Sequence, residues 1–140
     1  MIFPFFVSLP MTTFTFKKDE KLCSQKIIGD LFLKGSSFLC YPLKVVWKQE
    51  SLPTLAPVQV VFSVPKRLFK RAHDRNLLKR RLREAYRFHK HELNELLTAH
   101  QLQVALMIVY IAKEELTFAQ IDEAMVKVVE RFKKNETLTN

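Results

Sequence analysis

Cysteine is scarce in this chain of 140 residues: only Cys23 and Cys40 occur, and they form no CxxC motif. Two such residues provide no disulfide framework, so we expect reduced thiols and a cytoplasmic protein. The histidines offer no obvious metal site, because His89 and His91 are two residues apart and would point about 200° apart on a helix. The sequence therefore predicts no zinc site.

A hydrophobic run long enough to cross a bilayer is also missing. The apolar N-terminus, MIFPFFVSLP, has ten residues, whereas a membrane-spanning helix needs about 20. It has neither a basic region before it nor a small-residue cleavage site after it, so we expect neither a signal peptide nor a membrane partner. Met11 follows directly, which leaves Met1 and Met11 open as alternative starts. We interpret residues 1–13 as a tail.

Sets of side chains typical of protein-based catalysis are absent as well. The sequence shows no Ser-His-Asp set, no carboxylate pair and no cluster of metal ligands. A nuclease site built from this protein would need carboxylates to hold Mg²⁺, and Asp74 and Glu84 are isolated within the most basic part of the chain. We therefore expect no catalytic side chain and no metal bound by the protein alone.

What the chain has is the composition of one globular domain. Hydrophobic residues make up 48% and charged residues 26%, which is an ordinary balance for a folded protein. A length of 140 residues allows one hydrophobic core but hardly two. We predict one domain over residues 14–134, followed by a polar tail at 135–140.

The hydrophobic pattern predicts the element order α-β-β-β-α-β-α, a small α/β (α+β) sandwich in which helices cover a sheet. An extended arm at Phe14 and Phe16 leads to a helix from the N-cap Ser24 to residue 34, where Gly35 occupies the usual place of a left-handed C′ glycine. Strands are predicted at 38–48, with a break at Pro42, at 58–64, interpreted as a central strand, and at 103–111. Thr117 and Gln120 form a capping box for the last helix.

The excess positive charge is concentrated in one segment, residues 66–90. It holds 11 Lys or Arg and two acidic residues, so it carries +9, which equals the formal charge of the whole chain. The longest helix is predicted there, from 71 to about 99. On a helical wheel, one side is apolar and consists of Leu78, Leu82, Ala85, Tyr86, His89, Leu93 and Leu96. The adjoining arc of about 140° is basic and consists of Arg75, Asn76, Lys79, Arg80, Arg83, Arg87 and Lys90.

Such a crowded basic arc predicts an anionic partner. Cations four residues apart on a helix repel each other, and a purely structural helix usually mixes the two signs. Arginine can hold a phosphate with two hydrogen bonds, and the N-terminus of the helix offers free N–H groups. The pattern alone leaves several readings open: a solvated face, a general RNA- or ribosome-binding protein, a regulator that binds double-stranded DNA, or a helix for an anionic membrane or calmodulin.

The stretch FSVPKRLFKRAHDRNLLKRRLREAYR resembles the signature of the bacterial ribonuclease P protein component. Lys66 and Arg67 match a basic pair at a strand end, and the helix motif is matched by Arg75, Asn76, Lys79, Arg80 and Arg83. The segment 22–35 is similar to the first helix of that family, and the resemblance spans roughly 14–133. Two departures occur: Lys70 and Arg71 replace the usual Gly-Asn, and Leu77 replaces the third residue of Arg-Asn-Arg. Leu77 lies off the basic arc on the wheel, so its presence need not weaken that face.

The resemblance implies an RNA-binding subunit of an endoribonuclease. In that family a catalytic RNA removes the 5′ leader of precursor tRNA by Mg²⁺-dependent hydrolysis, with Mg²⁺ bound by the RNA. For this chain we expect no obligate protein partner. Taken together, the resemblance and the basic arc predict contacts to RNA from Lys66, Arg67, Lys70, Arg71, Arg75, Asn76, Lys79, Arg80, Arg83 and Arg87. The implied leader cleft is lined by Ile28, Phe32 and Val46. Helical spacing alone would make Phe32 a core residue. The resemblance also implies a left-handed βαβ crossover, against the general rule.

Overall fold

The structure is a computed structural model that describes residues 18–134. Its elements are a short 3-10 helix (Lys18–Glu20), α1 (Gln25–Lys34), β1 (Ser36–Cys40), β2 (Leu43–Gln49), β3 (Val58–Ser63), α2 (Ala72–Ala99), β4 (Val104–Tyr110) and α3 (Phe118–Lys134). The predicted order is confirmed, including the division of the first strand region at Pro42. The tails 1–13 and 135–140, the alternative start Met11, and the arm at Phe14 and Phe16 lie outside the described residues.

The four strands form one mixed sheet in the order β1-β2-β4-β3. The pairs β1–β2 and β2–β4 are antiparallel, whereas β3 and β4 are parallel and are joined by α2 in a left-handed crossover, as the resemblance implies. The prediction that β3 is a central strand is wrong, because β3 lies at the sheet edge. Along its outer side, the Leu22 N–H donates to the Val60 carbonyl at 2.9 Å. Its apolar character instead comes from burial on both faces, since Val58, Gln59 and Val60 are all buried.

Helices cover both faces of the sheet and create two hydrophobic cores. The larger core joins α2 and α3 to one face, and α2 contributes Leu78, Leu82, Ala85, Tyr86, Leu93 and Leu97. On the opposite face, Ile27 and Leu31 of α1 pack against Val46, Ala105 and Met107. Because β4 is buried on both faces, its sequence is apolar without alternation. No helix within residues 18–134 is both long enough and apolar enough to span a membrane.

The two ends of α1 explain how it is held across the sheet. Ser24 is the N-cap as predicted, and its side chain accepts a hydrogen bond from the Ile27 N–H. Gly35 does not adopt the predicted left-handed conformation, since its φ is −71°. A Cβ atom at Gly35 would lie 2.6 Å from the Leu31 carbonyl oxygen and 2.8 Å from Val46 Cγ1. Glycine is therefore required here because the helix end approaches β2 closely.

The last helix begins where its sequence predicts. The Gln120 side chain accepts from the Thr117 N–H at 3.0 Å, and the Gln120 N–H donates to Thr117 Oγ1 at 3.3 Å, which confirms the capping box. The buried residues of α3 are Ile121, Ala124, Met125, Val128, Val129 and Phe132. Phe118, the first residue of α3, is exposed.

Candidate nucleic-acid interface

The predicted RNA-binding residues occupy the loop between β3 and α2 and the first turns of α2. Seven of the ten are exposed, namely Lys66, Arg67, Lys70, Arg71, Asn76, Arg80 and Arg83. The other three, Arg75, Lys79 and Arg87, are half-buried. The N-cap of α2 is Arg71, which makes no side-chain capping bond. The structure therefore places a continuous basic surface, called here the basic face, around the start of the long helix.

Arg75 holds the loop before α2 in place within the basic face. Its guanidinium donates to the carbonyl oxygens of Phe69 and Lys70, both at 2.8 Å. The ring of Phe69 in turn packs edge-on against Tyr110 at 5.8 Å between centroids. Arg75 thus ties the loop that carries Lys70 and Arg71 to the helix, and the position of these cations depends on it.

The basic face carries more cations than nearby carboxylates can compensate. The two acidic residues of the segment are already paired, Asp74 with Arg71 at 3.9 Å and Glu84 with Arg87 at 2.7 Å. Within residues 18–134, no carboxylate lies within 4.0 Å of the charged groups of Lys66, Arg67, Lys70, Lys79, Arg80 or Arg83. Six neighbouring cations without a counter-charge favour a polyanionic partner.

Some basic residues of the segment serve the fold instead. Lys90 was placed on the presented arc, and this is wrong, since it is 3% exposed and forms an ion pair with Glu20. Arg81 pairs with Glu115 at 3.5 Å and donates to the Leu116 carbonyl. The 3-10 helix at 18–20 covers the Lys90 turn of α2, a contact that the periodicity of one helix cannot reveal.

His89 was assigned to the apolar side of α2 and instead faces the neighbouring helix. Its Nε2 atom lies 2.8 Å from Asp122 Oδ1 of α3, and the side chain is half-buried. Leu97, which the wheel did not include, is fully buried in place of the half-buried Leu96. The other residues predicted on the apolar side are buried, which confirms the rest of that assignment.

The predicted leader cleft lies on the other face of the sheet, beside α1. Ile28 is half-buried and packs against the core beneath α1, together with Val61 and Val109. Phe32, one turn further, is 71% exposed, so its interpretation as a core residue is wrong. Val46 is only 8% exposed and lies under the end of α1. It therefore supports the floor of the cleft but leaves little surface for a base.

A groove of about 320 Å³ joins the basic face to the start of α1. Lys79 and Arg83 line one wall, residues 21–23 line the other, and residues 60–62 of β3 lie between them. Sequence reasoning missed Lys21 in this wall. Its parallel bridge to Val60 joins parts of the chain that are far apart in sequence, and no local signal marks it.

The comparisons with known proteins agree with this geometry. The Ribonuclease P family model matches residues 16–133. A ribonuclease P protein component from Porphyromonas gingivalis is 36% identical over 123 residues, covering 88% of this chain and 90% of the relative. The solved RNase P protein of Staphylococcus aureus has a TM-score of 0.62 at 21% identity, covering 84% of this chain and 97% of that one. The RNase P protein from Thermotoga maritima has a TM-score of 0.64 at 19% identity, covering 80% and 96%.

The chain belongs to the ribonuclease P protein component family. It is the protein subunit of an endoribonuclease, the ribonucleoprotein that acts in tRNA 5′ processing, and its partner is the ribonuclease P RNA. Within residues 18–134, no three His, Cys, Asp or Glu side chains are grouped so that they could hold a metal ion.

Proposed function

We propose that the basic face binds the catalytic RNA while the cleft beside α1 binds the single-stranded leader of precursor tRNA, in the cytoplasm. The observation that carries this proposal is the group of six cations without a counter-charge, which a groove links to the start of α1. The residues assigned to the RNA are those of the basic face, and those assigned to the leader are Ile28 and Phe32, with Val46 beneath them. The exposed Cys23 and half-buried Cys40 are both free thiols, which is typical of a cytoplasmic protein.

An exposed aromatic ring suits a leader of variable sequence. Stacking of a base on an aromatic side chain contributes about 1–3 kcal/mol per base and tolerates any base. Phe32 offers such a ring on the flank of α1, and Ile28 provides an apolar contact one turn earlier. A rigid helix docked on a sheet holds both side chains in place before the leader arrives.

The chemistry of the donor set supports a role in which the RNA, and not the basic face, binds Mg²⁺. Mg²⁺ sites in proteins use carboxylate oxygens, and the two carboxylates of the basic segment are already paired with Arg71 and Arg87. The residues present therefore do not form a Mg²⁺ site on the basic face. What these side chains do is reduce the repulsion between phosphates and position the two RNAs against each other.

Reconstitution tests this proposal. Mixed with the matching ribonuclease P RNA, the protein is expected to increase cleavage of precursor tRNA at low Mg²⁺, where repulsion between the two RNAs is least screened. Cleavage no faster than that of the RNA alone would contradict the proposal. Equal affinity for precursor and mature tRNA would favour a general RNA-binding protein, and competition by duplex DNA as strong as that by structured RNA would favour a DNA-binding one.

Replacing Phe32 by alanine should weaken binding of precursor tRNA by about 5- to 150-fold, the equivalent of one stacked base. The affinity for mature tRNA should not change, because mature tRNA has no leader. Binding of both tRNAs to the reconstituted complex provides the measurement. Leu33→Ala is the matched control, since Leu33 is 82% exposed on the same helix and lies about 100° further around it. Equal losses with the two variants would argue against stacking on Phe32.

A further inference from the structure

One row of side chains on the sheet continues the cleft beyond α1. Cross-strand pairing aligns Ser63, Val109, Lys44 and Leu39 in that order across β3, β4, β2 and β1. All four point to the α1 face, because they are two residues from Val61, Met107, Val46 and Ser37. Ser63 and Val109 are half-buried, whereas Lys44 is exposed and Leu39 is 62% exposed.

The row lies on the same side of α1 as Ile28 and Phe32. The helix runs across the sheet from the β3 edge, where Leu22 bonds to Val60, to β2, where Gly35 touches Val46. A right-handed helix running in this direction turns the positions that follow Ile27 and Leu31 towards Val109 and Lys44. Phe32 and the row thus form the two sides of one concave surface.

Lys44 is the only charged residue of this row, and within residues 18–134 no carboxylate lies within 4.0 Å of its ammonium group. Lys48 provides a contrast on the same strand and face, because it pairs with Glu50 at 3.8 Å. A lysine beside apolar side chains and an exposed aromatic ring combines the two groups that a single-stranded nucleic acid needs, a cation for the phosphate and a stacking surface for the base.

We propose that Lys44 binds a backbone phosphate of the leader, upstream of the base that stacks on Phe32. This inference rests on the proposed leader function of the cleft. Lys44 lies on β2, two strands away from β3. This distance of about 10 Å corresponds to about three stacked nucleotides. Since Lys79 and Arg83 line the groove at the β3 edge, Lys44 contacts the part of the leader farthest from the basic face.

Leader length provides the test. Two precursor tRNAs are compared on the reconstituted complex, one with a single leader nucleotide and one with about five, enough to cross the sheet. Lys44→Gln should weaken binding of the long-leader substrate about two- to fivefold, the range of one exposed ion pair, and reduce its log–log salt slope by about 0.7. The short-leader substrate should bind as it does to the unchanged protein, and Lys44→Arg should retain the affinity.

Lys26→Gln is the matched control, because Lys26 is exposed on the opposite flank of α1 and the charge change is the same. If Lys44→Gln leaves long-leader binding unchanged while Phe32→Ala weakens it, the inference about Lys44 is wrong and the proposed leader cleft stands. If neither variant affects the long leader, the proposed cleft itself is wrong. Equal losses on both substrates would also overturn the inference, because Lys44 would then act outside the leader.

Discussion

Replacing Lys79, Arg80 and Arg83 together by glutamine is expected to weaken binding to the ribonuclease P RNA about 10- to 100-fold. All three lie on the basic face without a compensating carboxylate among the described residues. Each contact with a phosphate releases counterions, so the log–log salt slope should fall by about 0.7–0.9 per residue, or about 2–3 in total. Binding titrations at a series of salt concentrations give both quantities. We leave Arg75 out of this variant, because its loss would also release the loop carrying Lys70 and Arg71.

The control for this variant removes the same charge elsewhere. Lys113, Lys127 and Lys134 are exposed and lie outside the basic face, so their joint replacement by glutamine lowers the net charge equally. If RNA binding depends only on the net charge of the protein, the two triple variants will have the same affinity and the same salt slope. That result would contradict a localised interface. Circular dichroism and urea unfolding should show that both variants fold, since none of the six side chains belongs to the core.

Local patterns predicted most of the elements because their signals act over a few residues. Ser24 and the Thr117–Gln120 pair form their caps as expected, since capping bonds join positions three residues apart. The edge position of β3 could not be predicted in this way. Strand order depends on contacts such as the bond between Leu22 and Val60, which are distant in the sequence.

Contacts between residues distant in the sequence also explain the errors at the site, because local patterns do not report them. The wheel separated apolar from basic positions correctly for most of α2, because burial follows the helical period. It misplaced Lys90, since the covering segment at 18–20 comes from the far end of the domain. Gly35 was recognised as a helix end, but its real constraint is the approach to Val46 across the sheet. The position of Phe32 at the surface likewise depends on how far α1 reaches over the strands.

The Glu20–Lys90 pair is the most deeply buried ionic contact among the described residues. Their side chains are 16% and 4% exposed, and Tyr86, one turn before Lys90, is buried as well. Burial raises the pKa of the Tyr86 phenol far above its ordinary value, and the Glu20 carboxylate raises it further, so Tyr86 remains protonated. The pair joins the 3-10 helix to α2, directly before Lys21 enters the wall of the groove.

Glu20→Ala should therefore lower the free energy of unfolding by about 3–5 kcal/mol, because it removes the carboxylate that faces the buried Lys90 ammonium. Adding Lys90→Met should recover much of this loss, since methionine keeps the apolar stem and removes the charge. Urea unfolding at neutral pH measures both changes. Glu123→Ala is the matched control: it breaks the exposed pair with Lys127 and should cost less than about 1 kcal/mol. Similar losses in the free energy of unfolding for Glu20→Ala and Glu123→Ala would contradict the prediction that burial makes the loss of the Glu20–Lys90 pair more costly.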